Sequence, residues 1–285
     1  MRIRVGYDIC LNIKQPSALH TLMDIEPARR KDILDETPFS VSPDITSEVY
    51  TDVFGNTARR LFVPVGPVQL SYRADVSDSG LPEDTPGDAP ETPVQQLPRE
   101  CLPYLTGSRY CETDKLGKFA WDKFGSVPAG GRRVQAVADF VHGHLKFDYL
   151  KARSTRTASE ALEEGYAVCR DFTHLTIALC RALNIPARYC NGFLGDIGVP
   201  VDPNPMDFCA WCEVFINGRW YTFDSRHNEP RIGRIVLARG RDAADVPMMS
   251  TFGPHTLDQF KVMAEEIAEP VAETESRKQQ MSAAA

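Results

Sequence analysis

The chain has 285 residues, of which 42% are hydrophobic and 25% are charged, and its formal net charge at pH 7 is -7. This composition is typical of a globular protein of one large or two ordinary domains. The net negative charge and the lack of long runs of Lys and Arg argue against nucleic acid as a partner. No stretch approaches the roughly 18 uninterrupted apolar residues of a membrane span, and the N-terminus lacks the apolar run of a signal peptide. We therefore expect a cytoplasmic protein that does not bind membranes; its oligomeric state is left open.

The first part of the chain is β-rich. Apolar or β-branched alternation predicts four strands, over Arg2–Asp8, Ser47–Asp52, Thr57–Val63 and Val68–Ala74. A small β-sandwich is the natural way for such strands to bury their apolar faces. Residues 75–97 are rich in Asp, Glu, Pro and Gly, which predicts a linker or a solvated acidic loop without function. We thus expect an N-terminal β-rich domain over residues 1–97, with the acidic segment 75–97 at its end.

A second domain is expected over residues 98–262. Helical spacing begins near residue 132, a short second helix ends at Gly165, and a third helix begins near Cys169 and stops before Pro186. Strands follow over Ala187–Leu194, Cys209–Ile216 and Arg219–Asp224, with Asn217-Gly218 as a type I′ hairpin turn. Residues 263–285 drift into Glu-, Ala- and Ser-rich sequence and are expected to form a flexible tail.

Cys169 is the most informative of the eight cysteines. It follows a glycine-led turn at Gly165 and stands where the third helix begins. The helix dipole and the unpaired N–H groups of the first turn both favour a thiolate, the nucleophilic form of cysteine. By contrast, Cys209-x-x-Cys212 lies in an apparent strand, where positions three apart point to opposite faces, so this pair does not predict a metal site.

The order of these elements resembles the core of the transglutaminase-like superfamily. The resemblance rests on Gly165–His174, Cys180–Gly192 and Ala210–Asn228, and it runs from about Val134 to Asn228. The β-rich first part is similar to the region that bacterial members, of the transglutaminase-like cysteine protease type, carry before this core. The resemblance implies an α+β fold: a papain-like core, with a Cys-bearing helix packed on an antiparallel sheet, preceded by a β-sandwich-like domain.

The resemblance also implies the chemistry. Members are acyl-transfer enzymes, including cross-linking transglutaminases, proteases and amidases, which use a Cys-His-Asp triad. Cys169 matches the family nucleophile, and Asp224 matches the carboxylate that orients the imidazole. The family histidine precedes Ala-Trp on the first hairpin strand, but here Cys209 stands at that position. No metal or organic cofactor is implied, and the partner implied is a peptide or protein substrate.

Four interpretations of Cys209 remain open. His227, close after Asp224, supplies the base in the first, although a surface or structural role suits it somewhat better. In the second, the protein is a weakened homologue that binds peptide or γ-glutamyl groups. In the third, Cys169 and Cys209 form a redox pair. In the fourth, Cys209 is an engineered or accidental substitution in an active parent.

Two further residues are candidates for substrate binding. Trp211 lies two positions after Cys209, on the same strand face, and either walls the acyl-binding cleft or packs in the core. Asp207 precedes Cys209 and either contacts a substrate amine or is a solvated acid. The sequence thus favours a cysteine acyl-transfer enzyme acting on amide bonds through a Cys169 thioester, as a peptidase, amidase or transglutaminase. A binding protein without efficient turnover is the alternative.

Overall fold

Fourteen β-strands and four α-helices build residues 1–267, the part of the chain that this computed structural model describes. The α-helices are α1 (Thr113–Phe124), α2 (Gly131–His144), α3 (Ala158–Glu164) and α4 (Cys169–Ala182). Short 3-10 helices cover Pro27–Asp32, Val94–Gln96, Arg99–Leu105 and Tyr149–Lys151. The strands are β1 (Arg2–Ile13), β2 (Ser17–Thr21), β3 (Ile33–Ser42), β4 (Glu48–Thr51), β5 (Thr57–Val63), β6 (Gly66–Ser77), β7 (Lys146–Phe147), β8 (Tyr166–Ala167), β9 (Ala187–Phe193), β10 (Cys209–Ile216), β11 (Arg219–Phe223), β12 (Ile235–Gly240), β13 (Met249–Thr251) and β14 (His255–Ile267).

The N-terminal region is a pair of four-stranded sheets. One has the strand order β14-β1-β6-β3 and the other the order β13-β2-β5-β4. Their apolar side chains share one buried cluster, to which Ile3, Leu11, Leu19, Leu61 and Leu70 belong. This arrangement confirms the β-sandwich-like region that strand alternation predicts, because a sheet with one apolar face must bury it against another layer.

Two strands of the sandwich come from the far end of the chain. Strand β14 pairs antiparallel with β1 along its whole length, from Arg2 opposite Ile267 to Ile13 opposite His255. The expected end of the second domain at residue 262 therefore falls inside a strand, and residues 263–267 are paired rather than part of a tail. Long-range pairing of this kind leaves no local signal except a weak apolar alternation. Residues 268–285 of the expected tail lie outside the described residues.

The second region packs helices on one face of a sheet. Its strand order is β11-β10-β9-β12, and α4 lies against β9 and β10. Residues Asp171 to Arg181 of α4 are all buried, because α1, α2 and α3 cover the helix from its other sides. The α+β class and the Cys-bearing helix on an antiparallel sheet are thus confirmed, whereas α1 was not anticipated. The type I′ turn also forms, with φ of 48° at Asn217 and 83° at Gly218.

The two regions share side chains across their boundary. Phe193, Phe208, Ile235 and Leu237, which belong to or adjoin the second sheet, lie in the same buried cluster as the sandwich strands. The second sheet is therefore covered by helices on one face and by the sandwich on the other. Within residues 1–267, none of the helices combines the length and the apolar character needed to cross a membrane.

The acidic segment 75–97 is attached to the second region rather than free in solvent. The N–H of Gly131, at the start of α2, donates to the carbonyl of Ala89 at 2.9 Å, and the N–H of Glu83 donates to the carbonyl of Arg231 at 3.2 Å. A β-carbon on Gly130 would lie 2.2 Å from the Ala89 oxygen, so the close approach requires glycine there. Most side chains of residues 79–97 are exposed and none is buried, as expected for a solvated acidic loop, but the loop is anchored because its backbone bonds to α2 and to the residues before β12. Residues 75–77 belong to β6, so the segment begins inside a strand.

Candidate active site

The start of α4 is built to present Cys169. Gly165 ends α3 with φ of 70°, a left-handed conformation that glycine adopts without strain. Strand β8 then leads directly into the helix. The buried carboxylate of Asp171 accepts the N–H of Val168 at 3.1 Å and pairs with the buried guanidinium of Arg156 at 2.8 Å. The first turn is thereby fixed from both sides, and Cys169 stands at its first residue as the sequence predicts.

Cys169 contacts Cys209 across the interface between helix and sheet. Cys169 is half-buried, Cys209 is buried, and both are free thiols. The hydrogen-bonded contact with Cys209 lowers the pKa of the Cys169 thiol below its ordinary value. Burial raises this pKa, whereas the Arg226 cation and the Ala210 amide lower it further. The same contact and burial raise the pKa of Cys209 well above its ordinary value. Cys169 is thus the thiolate-prone member of the pair and Cys209 its neutral neighbour.

His227 and Asp224 form the polar pair of the site. Nδ1 of His227 lies 2.7 Å from Oδ2 of Asp224, and the Asp224 carboxylate also accepts the N–H of Arg226 at 3.1 Å. Because a carboxylate only accepts, Nδ1 carries the proton and Nε2 is left for other partners. The first interpretation of Cys209 therefore gains a geometric basis: an imidazole oriented by the family carboxylate exists, but it comes from the loop after β11 rather than from β10.

Arg234 holds the other side of the same carboxylate. Its Nη2 atom lies 2.7 Å from Oδ2 of Asp224, and both side chains are almost fully buried. Burial by itself would raise the pKa of Asp224, but Arg234 and His227 hold it well below its usual range. The carboxylate therefore stays ionised at neutral pH and remains able to orient an imidazole.

A cavity of about 510 Å³ opens beside these residues. Cys209, His227, Asp207, Arg226 and Tyr149 all line it. Asp207 is exposed and accepts the N–H of Phe208 at 2.7 Å. The cavity is large enough for a peptide-sized ligand.

Trp211 does not line this cavity. Its side chain is 1% exposed, and its ring packs under the guanidinium of Arg234, 4.8 Å from the ring centroid. Of its two interpretations, this burial supports core packing. Trp211 contacts the site only through Arg234, whose guanidinium packs on the Trp211 ring and pairs with Asp224.

Arg234 and Glu83 are the site residues that the sequence did not reveal. Arg234 lies after the family pattern, and Glu83 lies in a segment whose composition predicts only solvated charge. Their ion pair, at 2.8 Å, joins residues that are far apart in the chain. No periodicity or motif indicates either residue. Arg234 is identified by its contact with Asp224, and Glu83 by its contact with Arg234.

Comparison with known proteins shows a shared family and fold. The family model described as the transglutaminase-like superfamily matches residues 122–225, which include Cys169, Cys209 and Asp224 and end just before His227. A crystal structure of a candidate cysteine protease from Cytophaga hutchinsonii is 30% identical, with a TM-score of 0.81, over 95% of this chain and 92% of that chain. An uncharacterized protein of Mycobacterium leprae is 29% identical over 142 residues, which are 47% of this chain. The match spans only 50% of that curated relative's length.

These similarities agree with the site geometry. The family match covers the helix that bears Cys169 and the hairpin that bears Cys209 and Asp224. The similarity to the Cytophaga structure extends over both regions of the fold, including the sandwich. The protein therefore belongs to the transglutaminase-like superfamily.

Proposed function

We propose that this protein is a cysteine acyl-transfer enzyme that cleaves amide bonds of peptides or proteins through a thioester at Cys169. One observation carries the proposal: His227, which is held by Asp224, lines the same cavity as Cys209, whose thiol touches Cys169. Similarity to a candidate cysteine protease supports hydrolysis, as in a peptidase or amidase, over transfer to an amine.

The nucleophile and the base act in sequence. The Cys169 thiolate attacks the amide carbonyl carbon and forms a C–S bond, while the carbonyl oxygen takes the negative charge. The backbone N–H at the nucleophile, at the start of α4, stabilises this oxyanion. The C–N bond then breaks as the imidazolium of His227 gives its Nε2 proton to the leaving amine. Water attacks the thioester, His227 takes the proton, and the acid product leaves with the thiolate restored.

Asp224 and Cys209 support the two reacting groups. The Asp224 carboxylate fixes the tautomer of His227 and stabilises its protonated form, as the carboxylate of a triad does. Cys209 stabilises the thiolate of Cys169 by its hydrogen-bonded contact. Its raised pKa keeps it neutral, so Cys209 is not the base.

The test compares the unaltered protein with Cys169→Ala and His227→Ala on fluorogenic peptide amides and on a p-nitrophenyl ester. Cys169→Ala is expected to abolish turnover and the acyl adduct seen by intact-mass spectrometry after acid quenching. His227→Ala is expected to lower amide turnover by about 10²–10⁴-fold and ester turnover less, because activated leaving groups need little protonation. His255→Ala is the matched control, since His255 is exposed on β14 away from the site. Turnover that persists in Cys169→Ala contradicts the proposal.

A binding protein without efficient turnover is the second candidate, and the presence of Cys209 at the family histidine position favours it. This candidate predicts saturable peptide binding with no Cys169-dependent product. It also predicts that Cys209→His creates amidase activity that the unaltered protein lacks. Cys169-dependent turnover in the unaltered protein rules this candidate out.

A further inference from the structure

Glu83 brings a second negative charge to the back of the candidate catalytic pair. Its Oε1 atom lies 2.8 Å from Nε of Arg234, and the exposed fraction of its side chain is 22%. A small crevice of about 50 Å³ is lined by both Glu83 and Asp224, so the acidic segment and the carboxylate border the same space. The backbone of Glu83 is fixed as well, because its N–H donates to the carbonyl of Arg231.

The charge balance of this group explains why Glu83 matters. Arg234 and His227 both contact Oδ2 of Asp224, at 2.7 Å each. A buried guanidinium so close to the shared oxygen cancels the negative charge that would stabilise a protonated imidazole. Glu83 offsets the Arg234 cation from the other side, so Glu83, Arg234 and Asp224 together carry one net negative charge.

We propose that Glu83 is a positioning residue for the Asp224–His227 pair, acting through Arg234 to hold the carboxylate in place and to preserve its negative charge. This inference rests on the proposed function, because it assigns a role toward the acid–base pair of that reaction. It gives the acidic segment 75–97 a function that its composition does not predict. The segment is then part of the catalytic unit rather than a linker between regions.

Other charged groups also face the pair and must stay constant in any test. Arg226 and Asp207 line the same cavity, and the thiols of Cys169 and Cys209 lie on the helix and sheet side. From α2, Nδ1 of His142 contacts the carbonyl of Ser225 at 3.0 Å. The remaining acids and bases of the cavity wall are Asp196, Asp202, Arg231, Glu265 and Glu266.

The experiment uses Glu83→Gln, which keeps the shape and removes the charge. Without the Glu83 anion, the Arg234 cation disfavours a positive imidazole and favours a thiolate. Both limbs of the pH profile of kcat/KM are therefore expected to move to lower pH, by on the order of half a pH unit for a partly screened charge. Glu83→Asp is expected to bring the profile back toward that of the unaltered protein. Asp88→Asn is the matched control, because Asp88 is an acid of the same segment whose ion pair with Arg132 is exposed.

A second readout does not require turnover. The rate of Cys169 alkylation by iodoacetamide, followed by peptide mass against pH, is expected to shift to lower pH in Glu83→Gln and to stay unchanged in Asp88→Asn. Coincident profiles for these two variants, both folded by thermal melting, overturn the role of Glu83 and leave the proposed function standing. Absence of Cys169-dependent turnover in the unaltered protein overturns the proposed function instead; a shifted alkylation profile then still supports the charge coupling.

Discussion

Cys209 places its thiol against the thiol of Cys169, at the position where the family pattern has an imidazole. A buried thiol with a raised pKa stays neutral at physiological pH, so it stabilises a neighbouring thiolate but does not accept its proton. Under the proposed function, two residues would share the tasks that the family resemblance assigns to one histidine. Cys209 contacts the nucleophile, and His227, held by Asp224, is the candidate base.

The reactivity of Cys169 is expected to show this contact directly. Because the hydrogen-bonded contact with Cys209 lowers the pKa of Cys169, alkylation should have its midpoint below the value of about 8.5 for a free cysteine. Cys209→Ala removes the contact, so the midpoint should rise, whereas Cys209→Ser retains a donor and should restore it. Iodoacetamide titration with peptide mass mapping measures the midpoint. Cys212→Ala is the control on the same strand; an unchanged midpoint in Cys209→Ala would show that the contact does not matter.

Asp224 is expected to contribute to stability with a defined pH dependence. Its pKa is held below the ordinary value of about 3.9, so its contribution is complete above about pH 4 and is lost as the pH falls below that value. Asp224→Asn leaves the buried cation of Arg234 without this partner and should lower the free energy of unfolding by about 3–5 kcal/mol at pH 7.

Urea denaturation at several pH values measures this difference. The gap between the unaltered protein and Asp224→Asn should narrow progressively below about pH 4, where the unfolded carboxylate takes up a proton while the native carboxylate stays ionised. Asp84→Asn is the control, because the Asp84–Arg219 pair is exposed and should contribute less than about 1 kcal/mol. A gap that stays constant down to pH 2 would refute the assignment.

The start of α4 is expected to depend on Asp171 for more than the helix dipole. Asp171→Asn weakens the hydrogen bond from the Val168 N–H and removes the anion that pairs with Arg156. The side chains of Asp171 and Arg156 are both buried. A loss of about 3 kcal/mol is expected, together with slower alkylation of Cys169 as the first turn loosens. Asp114→Asn in the first turn of α1 is exposed and isolates the dipole effect, which amounts to about 0.3–1 kcal/mol. Equal losses in the two variants would mean that the buried pair adds nothing.

Gly192 is expected to be required beside Cys209. The two residues are paired between β9 and β10, and a β-carbon on Gly192 would lie 2.1 Å from the carbonyl oxygen of Ile235. Gly192→Ala should therefore destabilise the protein by about 1–3 kcal/mol or more, because the neighbouring strand must move. In Gly117→Ala the added carbon meets nothing within 4 Å, so that helical substitution should stabilise by about 0.5–1 kcal/mol. Thermal or urea unfolding of both variants checks the contrast, and a neutral Gly192→Ala would be inconsistent with this packing.

The sequence by itself determined the helix that begins at Cys169, the hairpin turn at Asn217-Gly218 and the position of Asp224. Each depends on local rules: a left-handed glycine cap, helical apolar spacing, and residues that tolerate positive φ. The family resemblance further implies that Cys209 stands at the position of an imidazole, and this stays a prediction.

Only the tertiary structure decided which groups surround Asp224 and which strands complete the sandwich. Arg234 reaches the carboxylate that also holds the nearby His227, Glu83 reaches Arg234 from a distant segment, and β14 closes a sheet that starts at residue 2. The physical reason is the same in both cases. Long-range strand pairing and buried ion pairs depend on which surfaces the whole fold brings into contact, and a local sequence pattern carries no record of that contact.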